Sequence, residues 1–145
     1  MIYIGSDHAG FALKEFLTKY LAKKGVDFAD LGPYRFDPQD DYPDFCIPVA
    51  EAVVKNKGAK GIVIGGSGNG EAIAANKVKG IRAAIVYDAF TAKKSREHND
   101  ANVIALRARG VPHKESLRLL KIWLSTSFSG GKHKRRIDKI SRYER

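Results

Sequence analysis

Five short apolar runs, each followed by a longer segment of different character, constrain the fold of this 145-residue chain more than any other feature. Ile2 to Gly5 reads as a first strand, and Ala9 to Lys24 follows with Phe11, Leu13, Phe16, Leu17, Tyr20 and Leu21 at helical spacing, closed by Gly25 as a C-cap. Val26 to Leu31 fits a second strand. Residues 32–43 hold Pro33, Pro38 and a cluster of aspartates, and so form a loop. A helix over Asp44 to Lys57, ended by Gly58, precedes a short buried strand, Gly61 to Ile64. The glycine-rich run Gly65 to Gly70 leads into a helix from about Glu71 to Val78; Ile81 to Tyr87 is the fourth strand, Phe90 to Glu97 a helix and Asn102 to Leu106 the fifth strand. Helices near Pro112–Ser127 and Lys132–Arg142 close the chain. Strands alternating with helices of this length imply a parallel sheet covered on both faces, with right-handed crossovers. Ligands of such sheets sit outside the carboxyl ends of the strands, so the loops after strands one, three, four and five are expected to hold the chemistry.

The length suits one domain, residues 1–145, with a basic helix at about 130–145. The net charge of +10 points to acidic partners, nucleic acid or a small anion. Half of that surplus lies in the last fourteen residues, Lys132 to Arg145. The single cysteine, Cys46, excludes an intramolecular disulfide, the amino terminus lacks a signal-peptide pattern, and no apolar run approaches the roughly 18 residues of a membrane helix. A cytoplasmic protein is expected.

Five groups of residues can carry chemistry. In Ser6-Asp7-His8-Ala9-Gly10 a carboxylate and an imidazole stand at a strand's end and a helix's start. His8 suits an anion there and Asp7 a proton exchange with a sugar hydroxyl; helix capping by Ser6 or Asp7 explains the pattern equally well. In Gly65-Gly-Ser-Gly-Asn-Gly-Glu71 four glycines in six residues let the backbone approach a ligand. A dinucleotide fingerprint on Gly66 and Gly68 needs glycine where Glu71 stands, and no Gly-Lys-Ser/Thr follows, so both familiar nucleotide loops are excluded. A carboxylate is wrong for a phosphate cradle but right beside a sugar carbonyl. The loop N–H groups and Ser67 would stabilise an enediolate oxygen while Glu71 takes the neighbouring carbon's proton; the alternative is a surface glutamate in a first helical turn. Arg96-Glu-His98-Asn99-Asp-Ala-Asn102 offers His98 as a proton donor to a ring oxygen, or as a plain helix-end residue. A phosphate needs two or three of Arg107, Arg109, Lys132, His133, Lys134, Arg135, Arg136 and Arg142, the rest being a solvated face. Asp40-Asp41-Tyr42-Pro43-Asp44 suits sugar hydroxyls, or a turn with Asp44 as helix cap. Cys46 reads as a core residue.

Taken in order, Gly5-Ser-Asp-His-Ala-Gly10, Asp41-Tyr-Pro43, Gly65 to Glu71, Ile73-Ala-Ala-Asn-Lys77, Gly80-Ile-Arg-Ala83, Ser95-Arg-Glu-His-Asn-Asp100 and the basic run Lys132 to Arg136 resemble the ribose-5-phosphate isomerase B / galactose-6-phosphate isomerase family. The resemblance implies a Rossmann-like three-layer α/β/α sandwich on a five-stranded parallel sheet. It implies a homodimer with active sites at the subunit boundary, and interconversion of aldose and ketose phosphates through an enediolate, without cofactor or metal. One branch of that family places a cysteine base where Gly65 stands here; the other uses the glutamate, so Glu71 inherits the role. Ser67 matches the group at the developing oxyanion, and His98 and Asp7 match groups linked to ring opening. His8, Arg109 and Arg136 match phosphate ligands. Lys132 stands where arginine is commoner, keeping the charge but losing the fork. Asp41, Tyr42, Gly66, Gly68, Gly70 and Asn99 complete the expected substrate contacts. The expected substrate pair is ribose 5-phosphate and ribulose 5-phosphate, with allose, galactose or tetrose phosphates as rivals. A nucleic-acid module is disfavoured because the tail interleaves only Tyr143 with its cations, and a nucleotide-binding regulatory domain because the loops above are missing. A helix N-terminus lowers a carboxylate's pKa whereas a carbon-acid base needs it raised. Glu71 is therefore expected to be desolvated, by burial under a partner subunit.

Overall fold

The computed structural model describes residues 1–144; Arg145, the last cation of the basic tail, lies outside them. In chain order the elements are β1 (Ile2–Ser6), α1 (Phe11–Lys23), β2 (Phe28–Asp30), α2 (Pro43–Lys55), β3 (Lys60–Gly65), α3 (Asn69–Asn76), β4 (Ala83–Val86), α4 (Ala89–Glu97), β5 (Val103–Arg107), α5 (His113–Ser125) and α6 (Lys132–Tyr143). The five strands form one parallel sheet in the order β2-β1-β3-β5-β4. From β1 the chain steps outward to β2 and then returns to place β3 on the other side. The carboxyl ends of β1 and β3, in register at Ser6 and Ile64, are therefore the switch point where the two following loops diverge and leave a crevice.

The period-two alternation of the central strands builds two cores. Ile62 and Ile64 of β3, with Ile104 and Leu106 of β5, face Leu13, Leu17 and Leu21 of α1 and Leu119, Leu120 and Trp123 of α5. Val63, Val103 and Ala105 face the other way, against Val49, Ala50 and Val53 of α2 and the alanines of α3. Each of the large side chains stabilises the fold by about 1.5–3 kcal/mol on burial, which is why β3, covered on both faces, reads as a continuous apolar run.

Boundaries differ from expectation for local reasons. Helix α2 begins at Pro43, whose missing N–H costs nothing at a first helical position, so Asp44 lies in the first turn and is not the cap. Helix α3 begins two residues before Glu71, at Asn69. Strand β4 stops short of both Ile81 and Tyr87, although Ile81 is still buried. Lys24 is the C-cap of α1, and Gly25 follows it with φ of 66°. No helix among the described residues is long and apolar enough to cross a membrane.

Candidate active site

A cavity of about 840 Å³ opens at the switch point, lined by Asp7, His8, Tyr42, Ser67, Glu71 and Arg109, with Ala9, Gly66, Asn69, Gly70, Ile85, Tyr87 and Arg107 completing the wall. Asp7 is placed by the end of β1. Its N–H bonds the Ile64 carbonyl at 3.3 Å and its carboxylate Oδ1 accepts the Gly10 N–H at 3.1 Å. Asp7 thus closes the turn that precedes α1 but does not cap the helix, whose N-cap is Gly10 with no side-chain cap bond, and it lines the cavity, only 7% exposed. Ser6 does not cap the helix either, since its hydroxyl is buried without a partner.

The glycine-rich loop continues β3 beside β5, with Gly65 O accepting from Ala108 N–H at 2.8 Å and Gly66 O from Arg109 N–H at 3.3 Å. Gly68, at φ 87°, makes the left-handed turn into α3, a conformation a side chain would strain. In the first turn of α3 the chain folds Glu71 back onto the loop. Its carboxylate occupies the space a Cβ at residue 65 would need, so only glycine fits there. The Arg109 guanidinium lies over Gly66, 3.3 Å from where a Cβ would stand, and the Tyr42 ring covers Gly70. Ser67 is exposed at the rim, its hydroxyl accepting the Asn69 N–H at 3.2 Å.

Glu71 is 3% exposed, and its Oε2 is buried with no partner. Burial pushes its pKa above the ordinary carboxylate value, and the Asp7 charge adds to this; the N–H groups of Glu71 itself and of Gly68 pull the other way and lose. The expected desolvation is therefore present, but its agent is the chain's own loop and not a partner subunit. Cys46, in α2, is wholly buried, and burial pushes its thiol up, which leaves it a core residue.

The chain matches the family described as ribose/galactose isomerase over residues 2–140. This chain belongs to the ribose/galactose isomerase family. It is 47% identical over 145 residues to a probable ribose-5-phosphate isomerase B of Mycoplasma genitalium, covering 99% of this chain and 95% of the relative. It is 44% identical to the ribose-5-phosphate isomerase B of Mycobacterium tuberculosis, covering 99% and 90%. The crystal structure of the Mycoplasma genitalium enzyme with bound ribulose-5-phosphate superposes with a TM-score of 0.95, covering 98% of this chain and 94% of that one. The type B ribose 5-phosphate isomerase of Trypanosoma brucei, 38% identical, superposes at 0.92 over 99% and 97%.

Within this isomerase chain the expected site residues fall into two groups. Asp7, His8, Tyr42, Gly66, Ser67, Gly70, Glu71 and Arg109 meet in the cavity. Gly68 is buried behind it against the Leu106 backbone, and Asp41 is exposed on the turn before α2, outside the lining. His98 and Asn99 precede β5 and therefore sit at the amino edge of the sheet, about 15 Å of strand away from the cavity. Lys132 and Arg136, on α6, join them there. His98 is the C-cap of α4, and its ring stacks on His133 of α6 at 4.1 Å and 10°. Only the first group lies at the carboxyl ends of the strands, where the chemistry was expected. Sequence reasoning missed Asn69, Ile85 and Tyr87. Asn69 had a signal, its place inside the glycine loop, while Ile85 and Tyr87 arrive only through the position of β4 in the sheet. Asp40, read as a sugar-hydroxyl ligand, faces His8 instead.

Proposed function

We propose that this chain interconverts ribose 5-phosphate and ribulose 5-phosphate with Glu71 as the proton-shuttling base. The observation that carries the reading is a carboxylate buried at the mouth of a ligand-sized cavity, its pKa raised by desolvation and one oxygen unpartnered, beside the glycine-rich loop. Glu71 takes the proton from C2 of the open-chain aldose, and electron density moves onto the carbonyl oxygen at C1. Ser67 and the N–H groups of the glycine loop stabilise that oxygen. The proton of the C2 hydroxyl passes to the C1 oxygen, and the same carboxyl group returns its proton to C1, which leaves a hydroxyl at C1 and the carbonyl at C2. Ring opening precedes this, with His98 donating a proton to the ring oxygen and Asp7 accepting one from the C1 hydroxyl. His8, Arg109, Lys132 and Arg136 hold the phosphate. The ribulose-5-phosphate bound by the Mycoplasma genitalium relative is the product this sequence of steps forms.

The reading includes a homodimer. The cavity of one chain lacks His98, Asn99, Lys132 and Arg136, which stand at the opposite edge of the same sheet. A two-fold axis normal to the strands reverses their direction, and so sets the amino edge of one chain beside the carboxyl edge of the other. The β4 side of the sheet suits such a contact: β4 is an edge strand, and Ile73, Tyr87 and Phe90 around it are 62%, 67% and 69% exposed.

The test is a paired assay of wild type and Glu71→Gln on ribose 5-phosphate in a metal chelator, following ribulose 5-phosphate. Turnover by wild type with a loss of about a hundredfold or more in the variant is the expected result. An inactive wild type overturns the substrate, and six- and four-carbon sugar phosphates are then the candidates. An active variant overturns the base.

A further inference from the structure

His8 is the one cationic group of the cavity whose ring is already held by another side chain. The Asp40 Oδ1 accepts two hydrogen bonds from it, the backbone N–H at 2.8 Å and the ring Nδ1 at 2.7 Å. The Asp40 side chain is 8% exposed, and its Oδ2 is buried without a partner. This carboxylate comes from a loop 32 residues away in sequence, so the pairing is made by the fold and not by a local turn.

The loop is fastened well enough to aim that oxygen. Its start is held where Gly32 donates to Asp30 Oδ1 at 2.8 Å and accepts from Ser6 N–H at 3.1 Å. Asp30 is in turn paired at 2.6 Å with Lys14, whose side chain is wholly buried under α1. Near its end, Asp37 accepts from Gln39 N–H through its side chain at 2.9 Å and from Asp40 N–H through its carbonyl at 3.2 Å.

We infer that Asp40 is a positioning residue: by accepting from Nδ1–H it fixes the His8 ring plane and favours the imidazolium, whose Nε2–H is then left to meet the phosphate of the sugar phosphate. A carboxylate on one ring nitrogen orients the other and steadies its positive charge. The charged groups facing His8 are Asp40, Asp7 and Arg109. The hydrogen bond to Asp40 is the largest influence and raises the imidazole above its ordinary 6.5, with Asp7 helping, while burial and Arg109 oppose it. His8 therefore stays a cation to higher pH than a free histidine, over the range where a phosphate monoester is doubly charged. The inference rests on the isomerase reading and on His8 as a phosphate ligand.

The experiment compares wild type with Asp40→Asn and Asp40→Ala in two measurements. The first is KM and kcat for ribose 5-phosphate between pH 6 and 8. The second is a ¹⁵N NMR titration of the His8 ring, which needs no turnover. At pH 8 KM is expected to rise about tenfold in both variants with kcat within about twofold, and the deficit narrows toward pH 6, where His8 protonates unaided. The His8 titration moves down toward 6.5, and its preference for the Nδ1–H tautomer weakens. Added to His8→Gln, Asp40→Asn changes KM by less than about twofold, because its route runs through His8. An unchanged His8 titration and tautomer in the near-isosteric Asp40→Asn overturns the inference, as does a KM deficit equal at pH 6 and pH 8. A wild type inactive on ribose 5-phosphate overturns the isomerase reading instead, and the NMR measurement still decides the role of Asp40.

Discussion

The two edges of the sheet carry their polar residues in opposite physical states. At the carboxyl edge, Asp7 and Glu71 are 7% and 3% exposed, Asp7 held on the Gly10 N–H and Glu71 seated in the space where a Cβ at residue 65 would stand. At the amino edge, His98 and His133 are half-buried and stacked, Asn99, Lys132 and Arg136 are exposed, and α6 buries Ile137 but leaves Ile140 and Tyr143 open. The amino edge also crowds cations around His133, although Glu97 and Asp138 pair with some of their neighbours: burial, with His98, Lys132, Arg136 and Lys94, holds His133 below its ordinary pKa. One chain thus builds the proposed base and its glycine loop completely, with Asp7, His8 and Arg109 beside them, and carries the remaining residues proposed for ring opening and phosphate binding on a looser, charged face. Groups that move a proton must be desolvated and fixed before substrate arrives. Groups that grip a phosphate can wait in water and be ordered by a partner and by the ligand.

The sharpest way to break that contrast is to mix subunits. Glu71→Gln and His98→Asn are each expected to lose about a hundredfold in kcat. If the two edges meet across a two-fold axis, a refolded equimolar mixture regains about a quarter of wild-type activity, since half the dimers are mixed and each has one intact site. A mixture as inactive as its components shows that His98 and Glu71 do not meet between chains. Next in size is Gly65→Ala. Its Cβ claims the space of the Glu71 carboxylate, so kcat falls by about tenfold or more while KM moves little. Steady-state kinetics beside an unchanged circular dichroism spectrum checks this.

The third prediction concerns stability. The folded-state pKa of Glu71 is raised, so its stabilising contribution is present below the unfolded value of 4.5 and is lost as pH rises through the folded value. Glu71→Gln removes that penalty. Its melting temperature is expected to exceed that of wild type at pH 8 by about 2–4 °C, and the gap should close toward pH 4. Thermal scans at the two pH values suffice, and a variant less stable at pH 8 contradicts the buried-carboxylate account. The smallest effect belongs to the amino edge. Lys132→Arg restores a guanidinium fork on an exposed helix, and KM for ribose 5-phosphate should fall about twofold to threefold with kcat unchanged, as measured from initial rates.

Much of this was legible in the residues. The apolar runs of β1, β3 and β5 and the helical spacing of α1 are local periodicities, and they placed every element within a few residues. The glycine loop announced itself through Gly68, and Glu71 through the failure of both nucleotide-loop patterns at its position. Short irregular segments were less legible. Pro43 took the helix start from Asp44, and Tyr87 and Ile85 joined the cavity through strand order alone. Asp40 and Asp41 are neighbours of the same kind, and nothing in their local sequence says that one is nine-tenths buried against His8 while the other is exposed.

By itself, then, the sequence determined the alternation of strands and helices, the place of the glycine loop at a strand's carboxyl end, and Glu71 as the acid nearest it, because each is a property of residues a few positions apart. The tertiary structure decided what depends on strand order and packing. The return of β3 to the far side of β1 brings Asp7 to the Ile64 carbonyl and makes the crevice. The folding of α3 onto Gly65 dries Glu71 and raises its pKa. The parallel sheet sends His98 and Arg136 to the opposite edge from the base they are expected to serve. Desolvation and distance come from contacts between residues far apart in the chain, and no local pattern encodes them.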